Sequence, residues 1–123
     1  MRALNQALPT HMIKEFVGAE YKLQDAITVL QEAQVFIAPH GAGLAFMQFL
    51  PRGAAVIEIG LENAPWPMGY YEGNSLSLGL KYFYGKATGK FDGPIIVDVN
   101  GVVSITLRAT RETRGLLKCA DES

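Results

Sequence analysis

Apolar residues recur at Leu23, Ala26, Ile27, Leu30 and Ala33, the i, i+3, i+4, i+7, i+10 spacing of one helix face. Gln24, Asp25, Thr28, Gln31 and Glu32 fall on the other sides. The period then shortens. Val35-Phe36-Ile37-Ala38 is an apolar run of strand formers, and Pro39-His40-Gly41-Ala42-Gly43 follows as a tight loop. Leu44 to Leu50 is nearly all apolar and predicts a short buried helix, ended by Pro51-Arg52-Gly53. Ala54 to Gly60 predicts a second strand, apolar on both faces except at Glu58, as buried parallel strands are.

Residues 20–60 therefore read helix, strand, glycine loop, helix, strand. That order implies parallel strands joined by a crossover, the Rossmann-like unit of an open, parallel α/β sheet. Farther on, Pro67 is suited to the first position of a helix running to about Leu78, against the breaking tendency of Gly69, Gly73 and Gly79. Lys81 to Tyr84 predicts a third strand, Gly85 to Gly93 a glycine-rich loop, and Ile95 to Val99 a fourth strand. Asn100-Gly101 is a hairpin signal. Val99, Val102, Val103, Thr106 and Leu107 also fit a helix face, and local pattern leaves the two open. Before the first helix, Met12 to Val17 reads as a short strand. Lys118 to Ser123 is expected to fray.

Composition narrows the classes. A chain of 123 residues makes about one small domain. Eleven basic and 12 acidic residues leave a formal charge of −1, which argues against a basic nucleic-acid groove and against an acidic tail. With 49% hydrophobic and 19% charged residues, the chain is globular and not disordered. The single cysteine, Cys119, excludes an internal disulfide framework and a cysteine-based zinc site. No run approaches the roughly 18–20 apolar residues of a membrane span. The opening MRALNQALPTHMIKEF lacks the apolar core of a signal peptide.

The loop His40-Gly41-Ala42-Gly43-Leu44 carries the strongest chemical signal. It leaves a strand and opens a helix, whose first N–H groups and positive dipole end suit phosphate. Glycines there let a ligand approach the backbone, and His40 is placed to hydrogen-bond a phosphate or a leaving group. The plainer reading is a tight strand-to-helix turn. Glu58 is a carboxylate inside an apolar strand, 15 residues after Gly43. Ligands of open α/β sheets sit at the carboxyl ends of the strands, where Glu58 could accept from ribose hydroxyls. The plainer reading is a strand-end carboxylate facing solvent. Taken together, loop and acid point to a nucleotide. Trp66, Tyr70 and Tyr71 could stack on a base or sugar, or pack in the core. Arg52, at the opposite end of the strand, reads as solvated, Asp98 as a cap, and His11 and Cys119 as incidental. The metal-ligand set is empty.

The run DAITVLQEAQVFIAPHGAGLAFMQFLPRGAAVIEIG resembles the carboxyl-terminal half of glycosyltransferase family 61. That family includes lumenal protein O-linked N-acetylglucosamine transferases and plant xylan xylosyl- and arabinosyltransferases. The likeness rests on Val35–Ala38, His40–Leu44, Ala45–Leu50, Pro51–Gly53 and Val56–Glu58 in that order, continues in Tyr70-Tyr71 and Leu78–Tyr82, and covers about residues 20–84. Leu4-Asn5-Gln6 is similar to an upstream Asn-Glu element, with Gln6 where Glu is usual.

The resemblance implies a GT-B architecture of two facing Rossmann-like domains. This chain would then be part of the carboxyl-terminal, donor-binding one, shortened at its N-terminal side. It implies inverting transfer without a metal or other cofactor, from a nucleotide-diphosphate sugar, UDP-linked by expectation. His40, Gly41, Ala42, Gly43 and Leu44 would hold the diphosphate and Glu58 the ribose. The catalytic base, an arginine-containing phosphate-contacting segment and the domain presenting a glycan or protein acceptor would lie outside these residues, so the chain alone is not expected to be active. A eukaryotic member would work in the Golgi or endoplasmic reticulum lumen. The family also implies a helix after Val99. Two other readings remain open. One is a dinucleotide-binding oxidoreductase domain, which Phe46 at the third glycine position disfavours. The other is a structural module without a ligand.

Overall fold

In the computed structural model, the described residues are 16–61, 69–89 and 95–114, together with positions 3 and 6. Helix α1 spans Leu23–Gln31. Strand β1 is Val35–Pro39, a 3-10 helical segment is Ala42–Phe49, and strand β2 is Ala55–Leu61. Helix α2 covers Tyr70–Ser77, strand β3 Lys81–Gly89, strand β4 Ile95–Val97 and helix α3 Val99–Glu112. The fold is α/β, around a four-stranded sheet in the order β1-β2-β3-β4.

Strands β1, β2 and β3 are parallel, with Val35 opposite Ala55 and Ala55 opposite Lys81. Strand β4 pairs antiparallel with β3, Ala87 facing Val97. The sheet is thus mixed, where the sequence predicted a parallel one. The stretch between Gly89 and Ile95 is too short for a crossover that would bring a strand back parallel.

Alternation along the strands sends side chains to two layers. On one face, Val56 packs with Leu30 of α1, Leu44 and Met47 of the 3-10 segment, and Tyr71 of α2, with Phe36, Ala38 and Tyr82 at its margin. On the other, Ala55 and Ile57 meet Ala109 of α3, with Val35, Ile37, Phe83 and Ile105 around them. Of the apolar stripe on α1, Ala26 and Leu30 are buried while Leu23 stays exposed.

Some elements are wound or bounded differently from their sequence reading. The segment after the glycine loop is a 3-10 helix beginning at Ala42. Strand β3 runs on to Gly89 through the stretch read as a loop. Gly85 lies where helix α3 crosses the sheet, and a Cβ there would stand 3.0 Å from Val102 Cγ2, so the glycine serves a close approach and not a turn. After Val99 the chain is helical: Asp98 caps α3 by accepting from the Gly101 N–H at 3.1 Å, and Val102, Thr106 and Ala109 are buried. Phe16 and Val17 are not in a strand, and the rest of the Met12–Val17 reading lies outside the described residues, as do His11, Trp66, Pro67 and Cys119. Gln6 is helical and exposed. Among the described residues, no helix is long and apolar enough to cross a membrane.

Candidate functional site

His40 stands one residue beyond β1. Its N–H donates to Ile59 O at 2.8 Å, which carries the β1–β2 pairing one residue past the end of the strand. Phe36, Ala38 and His40 alternate onto one face, and Glu58, opposite Ala38 in the register, lies on the same face. The His40 ring therefore meets the Glu58 carboxylate, and Nδ1 hydrogen-bonds Oε2. From β3, on the other side of β2, the Tyr82 hydroxyl donates to Oε1 at 2.6 Å. Glu58 keeps only 5% of its surface exposed. Burying a carboxylate is costly unless it is hydrogen-bonded, and here both oxygens are. Among the described residues, every buried side-chain polar atom has a partner.

Burial, followed by the hydrogen bond to Glu58, pushes the Tyr82 phenol well above its ordinary value. The Tyr71 phenol is also raised, first by burial and then by the neighbouring Tyr70 and Glu58. Tyr71 donates to Gly41 O at 2.6 Å, and its ring meets that of His40 edge-on with centroids 5.2 Å apart. Helix α2 thus ties down the loop that the strand network supports from below.

The loop backbone needs its first glycine. Gly41 has φ 147° and ψ −174°, a region closed to residues with a Cβ. A Cβ built on Gly41, or on Gly43, would meet nothing within 4 Å. No packing within the described residues accounts for the small residue at 43, and the loop surface there is open. The Leu44 N–H closes the first turn on Gly41 O at 3.0 Å, so the N–H groups of residues 42 and 43 precede that first bond. Leu44 is fully buried and anchors the segment beneath the loop.

The predicted site residues are therefore brought together, with one change of role. Glu58 is central in β2 and not at its end, because β2 continues through Ile59, Gly60 and Leu61. It is buried, which also removes the plainer reading of a solvent-facing acid. A ribose could reach it only by sharing an oxygen with His40 or Tyr82. Tyr71 belongs to the site through its hydroxyl, whereas Tyr70 is 65% exposed and stands beside it. Arg52 is exposed at the opposite end of the sheet, its stem against Gly79. Tyr82 was missed as a site residue. Its signal was the alternation of Lys81-Tyr82-Phe83-Tyr84, which sets both tyrosines on the face of Glu58. Among the described residues, no three of His, Cys, Asp and Glu gather as a metal site.

Fold and site together define an α/β protein whose glycine loop, at the carboxyl end of a parallel strand, is backed by a buried glutamate. No family model matches the chain, and no curated protein matches it.

Proposed function

We propose that this chain is the donor-binding part of a glycosyltransferase similar to family 61, with a parallel Rossmann-like core and a GT-B partner domain. In this reading the loop His40–Leu44 holds the diphosphate of a nucleotide sugar, UDP-linked by preference, for inverting transfer without a metal. The observation that carries it is the loop itself. It combines a glycine-only backbone at Gly41, open space above Gly41 and Gly43, and a histidine at its first position. Backbone N–H groups at the start of a helical turn bind anions without a basic side chain, which suits a chain of net charge −1. Glu58 contributes through His40, and a ribose hydroxyl would share one of its oxygens. Transfer itself would need an acceptor-presenting domain.

The test is thermal unfolding of the chain with UDP, UDP-sugars and NAD. Ligand at 100 times Kd stabilises the folded state by about 2.7 kcal/mol. Stabilisation by UDP and its sugars, and not by NAD, is expected. A folded chain stabilised by NAD alone, or by no nucleotide, overturns the reading.

A further inference from the structure

Glu58 lies in the central parallel strand, and side chains from both neighbouring strands reach it: His40, just past β1, at Oε2 and Tyr82, in β3, at Oε1. A carboxylate only accepts hydrogen bonds. With the Tyr82 hydroxyl donating to one oxygen, the His40 contact to the other requires the imidazole proton on Nδ1. The partner of one ring nitrogen sets the tautomer of a neutral histidine. Nε2, on the far side of the ring from Glu58, then carries the acceptor lone pair.

We propose that Tyr82 is a positioning residue of this site: with Glu58 it holds His40 as the Nδ1–H tautomer beside the glycine loop, so that Nε2 is the nitrogen that takes up a proton from water and, as N–H, donates to an oxygen of a bound diphosphate or of its leaving group. The raised phenol of Tyr82 agrees with its role as a donor that stays protonated at neutral pH. Removing the hydroxyl leaves Glu58 Oε1 without its donor in a buried place, and the carboxylate is free to turn about its Cγ–Cδ bond, so that Oε2 is no longer held against Nδ1. The His40 ring then loses its fixed partner. The effect on ligand rests on the nucleotide reading above, but the effect on the tautomer does not.

The experiment is a long-range proton–nitrogen correlation spectrum of the 15N-labelled full chain, at a pH where the rings are neutral. His40→Ala assigns the signals, since His11 is the other histidine. The expected wild-type form is Nδ1–H. Tyr82→Phe should shift His40 toward the Nε2–H form that free histidine prefers, and should weaken UDP binding on the order of tenfold, the size of one hydrogen bond to a charged group. Tyr82→Met, also without a hydroxyl and adaptable to the space, replaces it if Tyr82→Phe does not fold. An Nε2–H tautomer in the wild type overturns the proposal, as does a folded variant with the wild-type tautomer. A tautomer shift in a chain that never binds UDP leaves the positioning role standing and overturns the nucleotide reading instead.

Discussion

Alanine at Gly41 and alanine at Gly43 should have opposite effects on stability, and alanine at Gly43 should also weaken nucleotide binding. At Gly41 the backbone sits at φ 147° and ψ −174°. Holding an alanine there stores about 1–3 kcal/mol of strain, a fall of roughly 5- to 150-fold in the folding constant. No steric clash adds to it, since a Cβ meets nothing within 4 Å. Gly43 has no positive φ and the same open surroundings. Its replacement removes the entropy that glycine loses on folding and should stabilise the chain by about 0.4–1 kcal/mol. Binding is another matter. If a diphosphate lies on the N–H groups of residues 42 and 43, a methyl at 43 stands in its approach. Loss of one hydrogen bond to a charged group is about 1.5–3 kcal/mol, or roughly 10- to 150-fold in UDP affinity. Urea unfolding gives the first quantity and calorimetric titration with UDP the second. A Gly43→Ala chain that is as stable as the wild type and binds UDP equally well would refute the loop as the diphosphate cradle. A Gly41→Ala chain of unchanged stability would refute the backbone conformation on which the argument rests.

Asp98→Ala removes the cap of α3 and should destabilise the fold by about 0.5–2 kcal/mol in urea unfolding. Gly85→Ala presses a methyl on Val102 at 3.0 Å and should cost about 1–3 kcal/mol; a Gly85→Ala, Val102→Ala double variant should show a favourable coupling, and strict additivity would place the crossing of α3 elsewhere. Tyr71 and Tyr82 are both held protonated above the ordinary tyrosine value of about 10, so the folded state binds more protons than the unfolded one at alkaline pH. Stability from these groups is whole below about pH 10 and falls as pH rises toward their folded values, and Tyr82→Phe should make that alkaline fall shallower in denaturation measured across pH 9–11.

Much of the first half of the fold was legible because its signals are local. The stripe on α1, the apolar run of β1, the Pro-Gly stop and the apolar β2 each need only a few neighbouring residues to be read. The second half turned on contacts that a local pattern does not contain. Gly85 reads as a loop residue until α3 is known to cross it. Asn100-Gly101 reads equally as a hairpin or as the start of a helix until Asp98 is seen to cap the turn, with Gly101 N–H as its donor. Neither the 3-10 winding of Ala42–Phe49 nor the φ of Gly41 before it is something that periodicity reveals.

The site was half legible for a related reason. Its loop is contiguous in sequence, but the supporting network runs across three strands that lie far apart in the chain. His40, Glu58 and Tyr82 share one face because each keeps the parity of its own strand, and the register links Ala38 to Glu58 and Val56 to Tyr82. Once β1, β2 and β3 are set side by side, a buried acid in the middle strand can be satisfied only from its own layer. Among the residues of that layer on the neighbouring strands, His40 on one side and Tyr82 on the other reach its two oxygens. The need to solvate Glu58 thus explains two residues outside its own strand, one of which opens the glycine loop. That coupling gives a reason, in folding terms alone, for a histidine to be held at the edge of a loop that is otherwise backbone. It also means that a change at Tyr82, in a strand with no part in the loop, should be felt at His40 before it is felt in the core.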